Sequence, residues 1–398
     1  MAGRKQRHDG QAPERPPAAI VPITDRDDPR GVPSAQGGWS ENIVTLDDAL
    51  VVPTSGAGMV QQGGVIDDRD RFVDAAVHWR RGRPLLLPPA TVPAAQATLR
   101  GSWLWGGVLL NHFGHFLTES TPRLWALPEL EGQIDGIVFL HKRNGEPTEF
   151  HRTFLKLLQC DLPIEVALAP TRVERLHVPG QGFGLGRITI GTPKFRQLFT
   201  ERFARDIAPE GPERLYISRS ALGPKRGGAL GESLLEEHLA REGYEIFHPQ
   251  QNRLETQIAR YRAAQRIIAL DGSALHLAAF VGSNAQRVAM IRRRSSSMSN
   301  AIVIHLKAFM HRAPDVIDAI RADWVLRDRA RADRFSLGEL DMPGLQRLLA
   351  RGGFVAPDGP AWPNLDPVWR DAEIDKLRSE FGMDYIAIPR ETGPEAGA

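Results

Sequence analysis

Apolar runs of strand length alternate with helix-like apolar patterns from Trp103 onward, and this alternation is the strongest structural signal in the chain. Gly106–Leu110, Gly136–Leu140 and Arg172–Val178 have the compact apolar character of buried strands, and Glu149–Leu158 carries its apolar residues on one helical side. Because strands and helices alternate, the pattern predicts a parallel α/β layer.

A second α/β unit begins at Glu213 and has a more regular rhythm. We predict strands over residues 214–218, 244–247, 266–270 and 287–291, and helices over 230–242, 254–264 and 271–280. The predicted fold class is therefore α/β, with an N-terminal unit at 39–210, a C-terminal unit at 211–312 and a helical, Pro-rich extension at 313–398.

The stretch before Trp103 is rich in short apolar runs, which predict strands at 42–46, 49–53 and 59–66. Asp68-Arg69-Asp70 has the Asp-x-Asp pattern of metal-dependent sugar transferases. It lies in a polar turn between two apolar runs, however, where Asp is favoured by hydrogen bonds to its own backbone. We therefore interpret it as the tip of a hairpin rather than as a metal site.

The N-terminal segment Met1–Gly38 differs from the rest of the chain in composition. It is rich in Pro, Arg, Asp and Gln and lacks the apolar core of a secretion signal. Its aliphatic content is too low to repay the entropy of ordering, so we predict a disordered N-terminal tail that folding does not need.

Composition and charge exclude several classes of protein. The chain is 42% hydrophobic and 25% charged, which is ordinary for a globular protein, and its one cysteine, Cys160, excludes a disulfide scaffold and suits a reducing compartment. The 50 basic and 48 acidic residues nearly cancel, which gives no case for nucleic acid as a partner. No apolar run approaches the roughly 18 residues of a membrane span. We predict a cytoplasmic protein and leave open peripheral attachment at the inner face of the membrane.

The first candidate site is a row of four polar residues with a spacing of four: Asn111, His115, Glu119 and Arg123. On a helix this spacing places them on one face, with Asn111 as a possible cap. A His one turn from a Glu is an orientable base, because the carboxylate fixes its tautomer. The alternative is a capped core helix with an internal ion pair.

The glycine-rich segment 180–186 superficially resembles a dinucleotide-binding loop. Such a loop requires a helix directly after its last glycine, whereas the residues at 187–190 have a strand-like composition. We reject the dinucleotide interpretation and expect a flexible connection here.

Basic residues follow the first strand of the second unit, with Arg219 at its end and Arg226 in the next loop. The carboxyl ends of parallel strands are where α/β sheets bind ligands, and an arginine there can hold a phosphate with two hydrogen bonds. The run Arg292–Arg294 lies at the end of a later strand, and we favour a solvated charge run over a phosphate or lipid contact for it.

The segment Asp271–His276 joins a buried strand to a helix through small residues. The amino end of a helix exposes unpaired amides and a partial positive charge, which suits a phosphate. Gly272, Ser273 and Ala274 would let a ligand approach the backbone. The alternative is an ordinary turn in which Asp271 or Ser273 caps the helix.

Taken together, the His- and Glu-bearing helix, the Tyr-Ile-Ser-Arg strand at 216–219 and the Gly-Ser-Ala turn resemble glycosyltransferase family 61, which includes capsular-polysaccharide proteins. The resemblance covers roughly residues 103–291. It implies two facing Rossmann-like domains in a GT-B-like arrangement, inverting transfer from a nucleotide-sugar donor, and no metal or other cofactor. The positions that match the family's motifs are Asn111, His115, Glu119, Arg123, Arg219, Arg226, Glu232 and Gln257, with the donor turn at Gly272–His276.

Two positions depart from the family pattern. Gly231 stands where the family usually has Asn, and Asp271 where it usually has His. A carboxylate beside a diphosphate would repel it, and His276 or the arginine run could compensate for this.

These features predict a hexosyl- or pentosyltransferase that uses His115 as base, oriented by Glu119, and a glycan or polysaccharide as acceptor. In a variant of this mechanism, Glu119 is itself the base. The alternative function, which the two departures suggest, is a non-catalytic glycan- or nucleotide-binding scaffold in a polysaccharide assembly complex.

Overall fold

The computed structural model describes residues 25–56, 58–142 and 145–390 and confirms the α/β class. In these ranges the strands of the N-terminal unit are β1 (Ile43–Ser55), β2 (Gln61–Ile66), β3 (Trp79–Arg80), β4 (Arg83–Pro84), β5 (Leu86–Leu87), β6 (Ala97–Leu109), β7 (Gly136–His141), β8 (Ile164–Val166) and β9 (Thr171–Pro179). Its helices are α1 (Phe113–His115), α2 (Glu149–Leu157) and α3 (Pro193–Glu201).

The sheet of this first unit is mixed rather than wholly parallel. Seven strands lie in the order β5-β2-β1-β9-β6-β7-β8. The half formed by β9, β6, β7 and β8 is parallel, as the alternation of strands and helices predicts, whereas β1 pairs antiparallel with both β2 and β9. The long strand β1 merges the two short strands predicted at 42–46 and 49–53.

The second unit is the parallel sheet that the sequence predicts. It contains β10 (Arg214–Ile217), β12 (Glu245–Phe247), β13 (Arg266–Leu270), β14 (Arg287–Ile291) and β15 (Asp315–Ile317), with β11 (Gly228–Ala229) in a separate sheet, and the helices α4 (Glu232–Arg241), α5 (Leu254–Ala263), α6 (Ala274–Val281) and α7 (Asn300–Met310).

The strand order of this second sheet determines where a ligand can bind. The order is β12-β10-β13-β14-β15, and all pairs are parallel. The connections leaving β10 and β13 therefore lead to opposite halves of the sheet. A crevice forms at such a switch point, outside the carboxyl ends of the strands. Arg219 follows β10 and Gly272 follows β13, so both residues lie at this switch point.

The C-terminal segment is more than a helical, Pro-rich extension. It adds β15 to the second sheet and, with β11, forms a four-stranded sheet in the order β11-β17-β16-β18. The elements concerned are β16 (Ile320–Leu326), β17 (Leu337–Leu340) and β18 (Tyr385–Pro389), with the helices α8 (Met342–Arg351) and α9 (Pro367–Phe381). Because its strands pair with strands of the second unit, this segment is built into that unit.

A continuous hydrophobic core joins the two α/β units. Phe154, Phe195 and Phe199 from the first unit share one buried cluster with Phe280 and Leu306 from the second. The rings of Phe199 and Phe280 are stacked with their centroids 3.9 Å apart. Burial of aromatic side chains of this size is a large hydrophobic contribution, so the edges of the two units are held in fixed register.

The predicted hairpin at Asp68-Arg69-Asp70 is confirmed. Ile66 and Phe72 form an antiparallel bridge, and the Asp67 amide donates to the Arg71 carbonyl oxygen at 2.9 Å. The three residues at the tip are exposed, and Asp70 adopts a left-handed backbone with φ of 57°. The Asp-x-Asp pattern therefore lies in a turn, where aspartate is a favoured residue.

The prediction of a strand-like segment at 187–190 is wrong, because Arg187–Ile190 forms a 3₁₀ turn. The glycine-rich segment before it packs tightly instead of forming a flexible connection. Gln181 is fully buried, and its side chain bonds both the amide and the carbonyl of Trp79. Two main-chain bonds of this kind hold the segment to the first unit.

Part of the predicted tail packs against the body. The Trp39 amide donates to the Arg26 carbonyl oxygen at 2.8 Å, and the Ser34 amide donates to Ser40 Oγ at 2.9 Å. Pro33 is buried, and Trp39 packs in a small apolar cluster. Residues 25–38 are therefore structured, and the remainder of the predicted tail, residues 1–24, lies outside the described residues.

Deleting residues 1–24 is expected to leave the melting temperature nearly unchanged, because their composition contributes little burial. Deleting 1–38 is expected to lower it by at least ~2 °C, since the main-chain bond to Trp39 is lost with buried Pro33. Thermal unfolding of both truncations measures the difference. A large drop with the shorter deletion would contradict this division of the tail.

Candidate active site

The polar row lies in a short helix followed by a π-helical turn. β6 leads into α1, and the chain then widens into a π turn over Phe116–Ser120. Asn111 does not cap this helix, because His112 occupies the N-cap position without a side-chain bond. Insertions of this kind into helices occur frequently at functional sites.

Gly114 brings this helix against the second unit. A Cβ at position 114 would lie 2.7 Å from the Ser273 Cβ, a distance that non-bonded carbons do not adopt. Glycine is therefore required for the approach, and the His115 helix lies directly against the Gly272–Ala274 turn. The two segments that the sequence assigns to acceptor and donor meet at one place.

His115 and Glu119 form the predicted pair. His115 Nδ1 lies 2.5 Å from Glu119 Oε2. The His115 side chain is 43% exposed, whereas that of Glu119 is fully buried. Because the carboxylate accepts from Nδ1–H, the tautomer leaves Nε2 with a free lone pair. This Nε2 makes no hydrogen bond to the described residues.

Three side chains surround the Glu119 carboxylate and fix its charge. Besides His115, Arg80 Nη2 donates to Oε2 at 2.8 Å while its Nε donates to Oε1, and His78 Nε2 lies 3.5 Å from Oε1. Burial alone would raise the pKa of Glu119, but bonds from His115, His78 and Arg80 hold that pKa far below its usual range. Glu119 is thus a permanently ionised and enclosed partner of His115.

A second histidine lies beside His115. The rings of His112 and His115 are 4.9 Å apart between centroids. Burial lowers the pKa of His112, and the neighbouring His115, Arg226 and Arg334 lower it further. Arg226 from the second unit and Arg334 from the C-terminal segment therefore lie near this edge of the first unit.

Arg219 lies across the switch point beside the helix turn. Its Nη1 would be 2.7 Å from a Cβ at Gly272, and its Nη2 donates to the Arg226 carbonyl oxygen at 3.2 Å. Its Nε is buried without a hydrogen-bond partner, and no carboxylate of the described residues lies within ion-pair distance of it. Burial and the charge of Arg293 lower the pKa of Arg219 to about 10, so the guanidinium is charged at neutral pH.

The negative charge of Asp271 is paired with an arginine and is not free in the site. Arg293 Nε lies 2.8 Å from Asp271 Oδ1 and also donates to the Asp271 carbonyl oxygen at 2.9 Å. Both side chains are almost fully buried. The interpretation of Arg292–Arg294 as a solvated run is therefore wrong for Arg293 and Arg294, which are 8% and 9% exposed.

Glu232 begins α4 beneath Arg219. Its Oε1 accepts from the Tyr216 hydroxyl and from the Arg219 amide, each at 2.8 Å. Burial raises the pKa of Glu232 to about 7 despite these bonds. Gly231 before it has φ of 71°, a left-handed conformation that Asn tolerates best among other residues. The replacement of Asn by Gly at this position therefore preserves the backbone.

The side chains of Arg123 and Gln257 both donate to main-chain carbonyl oxygens. Arg123 is 1% exposed and donates to the carbonyl oxygens of Ala75 and Val77 at 2.8 Å, and also to that of Pro179. Gln257 Nε2 donates to the carbonyl oxygens of Pro249 and Asn252. Gln257 Oε1 is buried without a hydrogen-bond partner, and substrate binding by Arg123 and Gln257 stays a prediction.

His276 is also directed into the protein. It is 6% exposed, and its Nδ1 lies 2.8 Å from Nδ1 of His305, so one of the two nitrogens donates and the other accepts. Burial, with the neighbouring His115 as a smaller cause, lowers the pKa of His276 to about 4. A neutral, buried histidine does not supply the positive charge that was proposed to offset Asp271. Arg293 supplies it instead.

Sequence reasoning missed His78 and Arg80, which lie about forty positions before Glu119. No spacing rule connects residues so distant, and only the sheet brings them together. The basic run at 292–294 includes Arg293, but the sequence did not show that its side chain is buried. Among the described residues, no group of three or more His, Cys, Asp or Glu side chains is placed to hold a metal ion.

Comparison with known families agrees with this geometry. Residues 113–288 match the model of the glycosyltransferase 61 family. This segment, which runs from α1 into β14 and includes the His115 pair, Arg219 and the Gly272 turn, is therefore similar to glycosyltransferase family 61. No curated protein matches the chain. Within the described ranges, no helix has the length and hydrophobicity to cross a membrane.

Proposed function

We propose that this protein is an inverting glycosyltransferase that moves a sugar from a nucleotide-sugar donor to a hydroxyl of a glycan or polysaccharide. The observation that carries the proposal is the His115–Glu119 pair. It offers an open Nε2 directly beside a helix turn and an arginine suited to a diphosphate. The family match over residues 113–288 supports the same class of reaction.

In this proposal His115 is the general base. Its Nε2 takes the proton from the acceptor hydroxyl while the hydroxyl oxygen attacks the anomeric carbon of the donor sugar. Glu119 holds the Nδ1–H tautomer and stabilises the imidazolium that forms. Because Glu119 is fully buried and bonded to three side chains, it cannot reach an acceptor hydroxyl, and the geometry favours His115 over the variant in which Glu119 is the base.

The leaving group is the nucleoside diphosphate. As the new bond forms, the bond from the anomeric carbon to the diphosphate oxygen breaks, and its electron pair leaves with the diphosphate. Attack from the face opposite to this oxygen inverts the configuration. Arg219 with its unpartnered Nε, Arg226 and the amides at Gly272–Ala274 would neutralise the negative charge that develops.

Transfer can be tested directly with purified protein. A thermal-shift screen against nucleotide sugars identifies the donor that stabilises the fold. Incubation of that donor, labelled in its sugar, with oligosaccharide acceptors is expected to give a product of opposite anomeric configuration, read by NMR. Binding of a donor without transfer or hydrolysis would contradict the proposal and favour the non-catalytic scaffold.

A further inference from the structure

A groove of about 430 Å³ lies beside Arg219, between the second unit and the C-terminal helix α9. One wall is the loop from Gly223 to Glu232, and the opposite wall is α9, which contributes Trp369, Lys376 and Phe381. All of these α9 residues lie beyond the segment that matches the family model, which ends at residue 288. The groove is therefore completed by a part of the chain that the family match does not cover.

The position of Arg219 places the groove in line with the proposed catalytic pair. Arg219 lines the groove and also approaches Gly272, while Ser273 next to it contacts the His115 helix at Gly114. The order along the cleft is thus His115, the Gly272–Ala274 turn with Arg219, and the groove. A nucleotide sugar has the matching order of sugar, diphosphate and nucleoside. With the sugar at His115 and the diphosphate at Arg219, the nucleoside lies in the groove.

Trp369 has the character of a stacking platform. It is 43% exposed although it is the largest apolar side chain on the helix wall. No aromatic ring or basic side chain in the described ranges stacks on its indole, so a flat face remains available. Its backbone amide donates to the Asp366 carboxylate at 2.9 Å, which fixes the start of α9 independently of the indole.

The loop facing α9 leaves room for a ligand. At Gly223 and Gly228 the space of the missing side chain is open, which lets a ligand lie close to the backbone there. At Gly231 a Cβ would lie 2.3 Å from Leu365 Cδ2, so the segment just before α9 already occupies the space of a side chain there. The departure from Asn at position 231 therefore accommodates the C-terminal segment.

We propose that α9 forms the nucleoside subsite of the donor and that Trp369 stacks on the nucleobase. This inference rests on the proposed function, and it assigns to the C-terminal segment the recognition of the donor's base. Because stacking acts on the flat face of a base, it strengthens binding of a nucleoside diphosphate without contributing to the sugar-transfer step.

The test is calorimetric binding of UDP, GDP, ADP and dTDP to the full chain. Trp369→Ala is expected to weaken the tightest of these complexes by about tenfold or more, and Trp369→Phe, which retains a flat ring, is expected to restore most of the affinity. Val368→Ala on the same helix is the matched control, because Val368 is 79% exposed and does not line the groove. It should bind as the wild type does.

Two failures are distinguishable. A wild type that binds a nucleoside diphosphate, with Trp369→Ala binding equally well, overturns the α9 subsite and leaves the proposed function intact. A wild type that binds none of the four overturns both. If Trp369→Ala fails to fold, Trp369→Leu gives the same comparison, since it retains an apolar side chain and removes only the aromatic face.

Discussion

Replacing His115 with alanine is expected to lower turnover by about 10²–10⁴-fold while the protein stays folded. The side chain is 43% exposed and its main bond is to Glu119, so little packing is lost. What is lost is a ring nitrogen with an open lone pair on a histidine that a buried carboxylate holds at this cleft. Turnover of the identified donor and acceptor, with circular dichroism and thermal unfolding of the variant, measures both parts of the expectation.

His112→Ala is the matched control, because His112 lies 4.9 Å from His115 between ring centroids and lacks the bond to Glu119. It should lose much less activity than His115→Ala. If His112→Ala lost more activity than His115→Ala, the general base would be His112 rather than His115. A His115→Ala variant that unfolds, but whose folded fraction has full specific activity, would support the alternative of a structural core helix with an internal ion pair.

Much of the fold follows from local patterns, because strand and helix periodicity report burial directly. The parallel unit from β10 to β14 agrees with its predicted strands, and the turn at Gly272 lies at the switch point with Arg219. Both positions follow from a general rule about carboxyl ends of parallel strands. The antiparallel half of the first sheet was not predicted, since the pairing of β1 with β9 joins segments more than a hundred residues apart.

The site was predictable only where its members share one helix or one sheet edge. His115 and Glu119 are four residues apart, and their contact follows from helical spacing. Arg123 has the same spacing, but it points to main-chain carbonyls because the π turn changes the rotation between positions 115 and 123. The roles of Arg80, Arg293 and Trp369 depend on long-range packing, which residue spacing does not encode.

Removing Arg219 has the second large expected effect. Arg219→Ala is expected to lower turnover by about 10²–10³-fold and to weaken binding of the nucleoside diphosphate, with or without EDTA. The reason is that its guanidinium lies at the switch point, partly desolvated, with a buried Nε that has no protein partner. A largely buried cation gains more from an anionic ligand than an exposed one does, because water screens the interaction less.

Calorimetry of nucleoside diphosphate binding, with and without EDTA, measures this effect separately from chemistry. Arg253→Ala is a suitable control for the loss of one positive charge, since its side chain is 85% exposed and it does not line the groove. Arg219→Lys retains the charge but not the planar pair of donors, so it should recover only part of the affinity. Binding that requires a divalent ion would contradict neutralisation by arginine. If Arg219→Ala binds the nucleoside diphosphate as tightly as the wild type, the diphosphate does not bind at the switch point. The proposed placement of one donor along His115, the Gly272 turn and the α9 groove would then also be wrong.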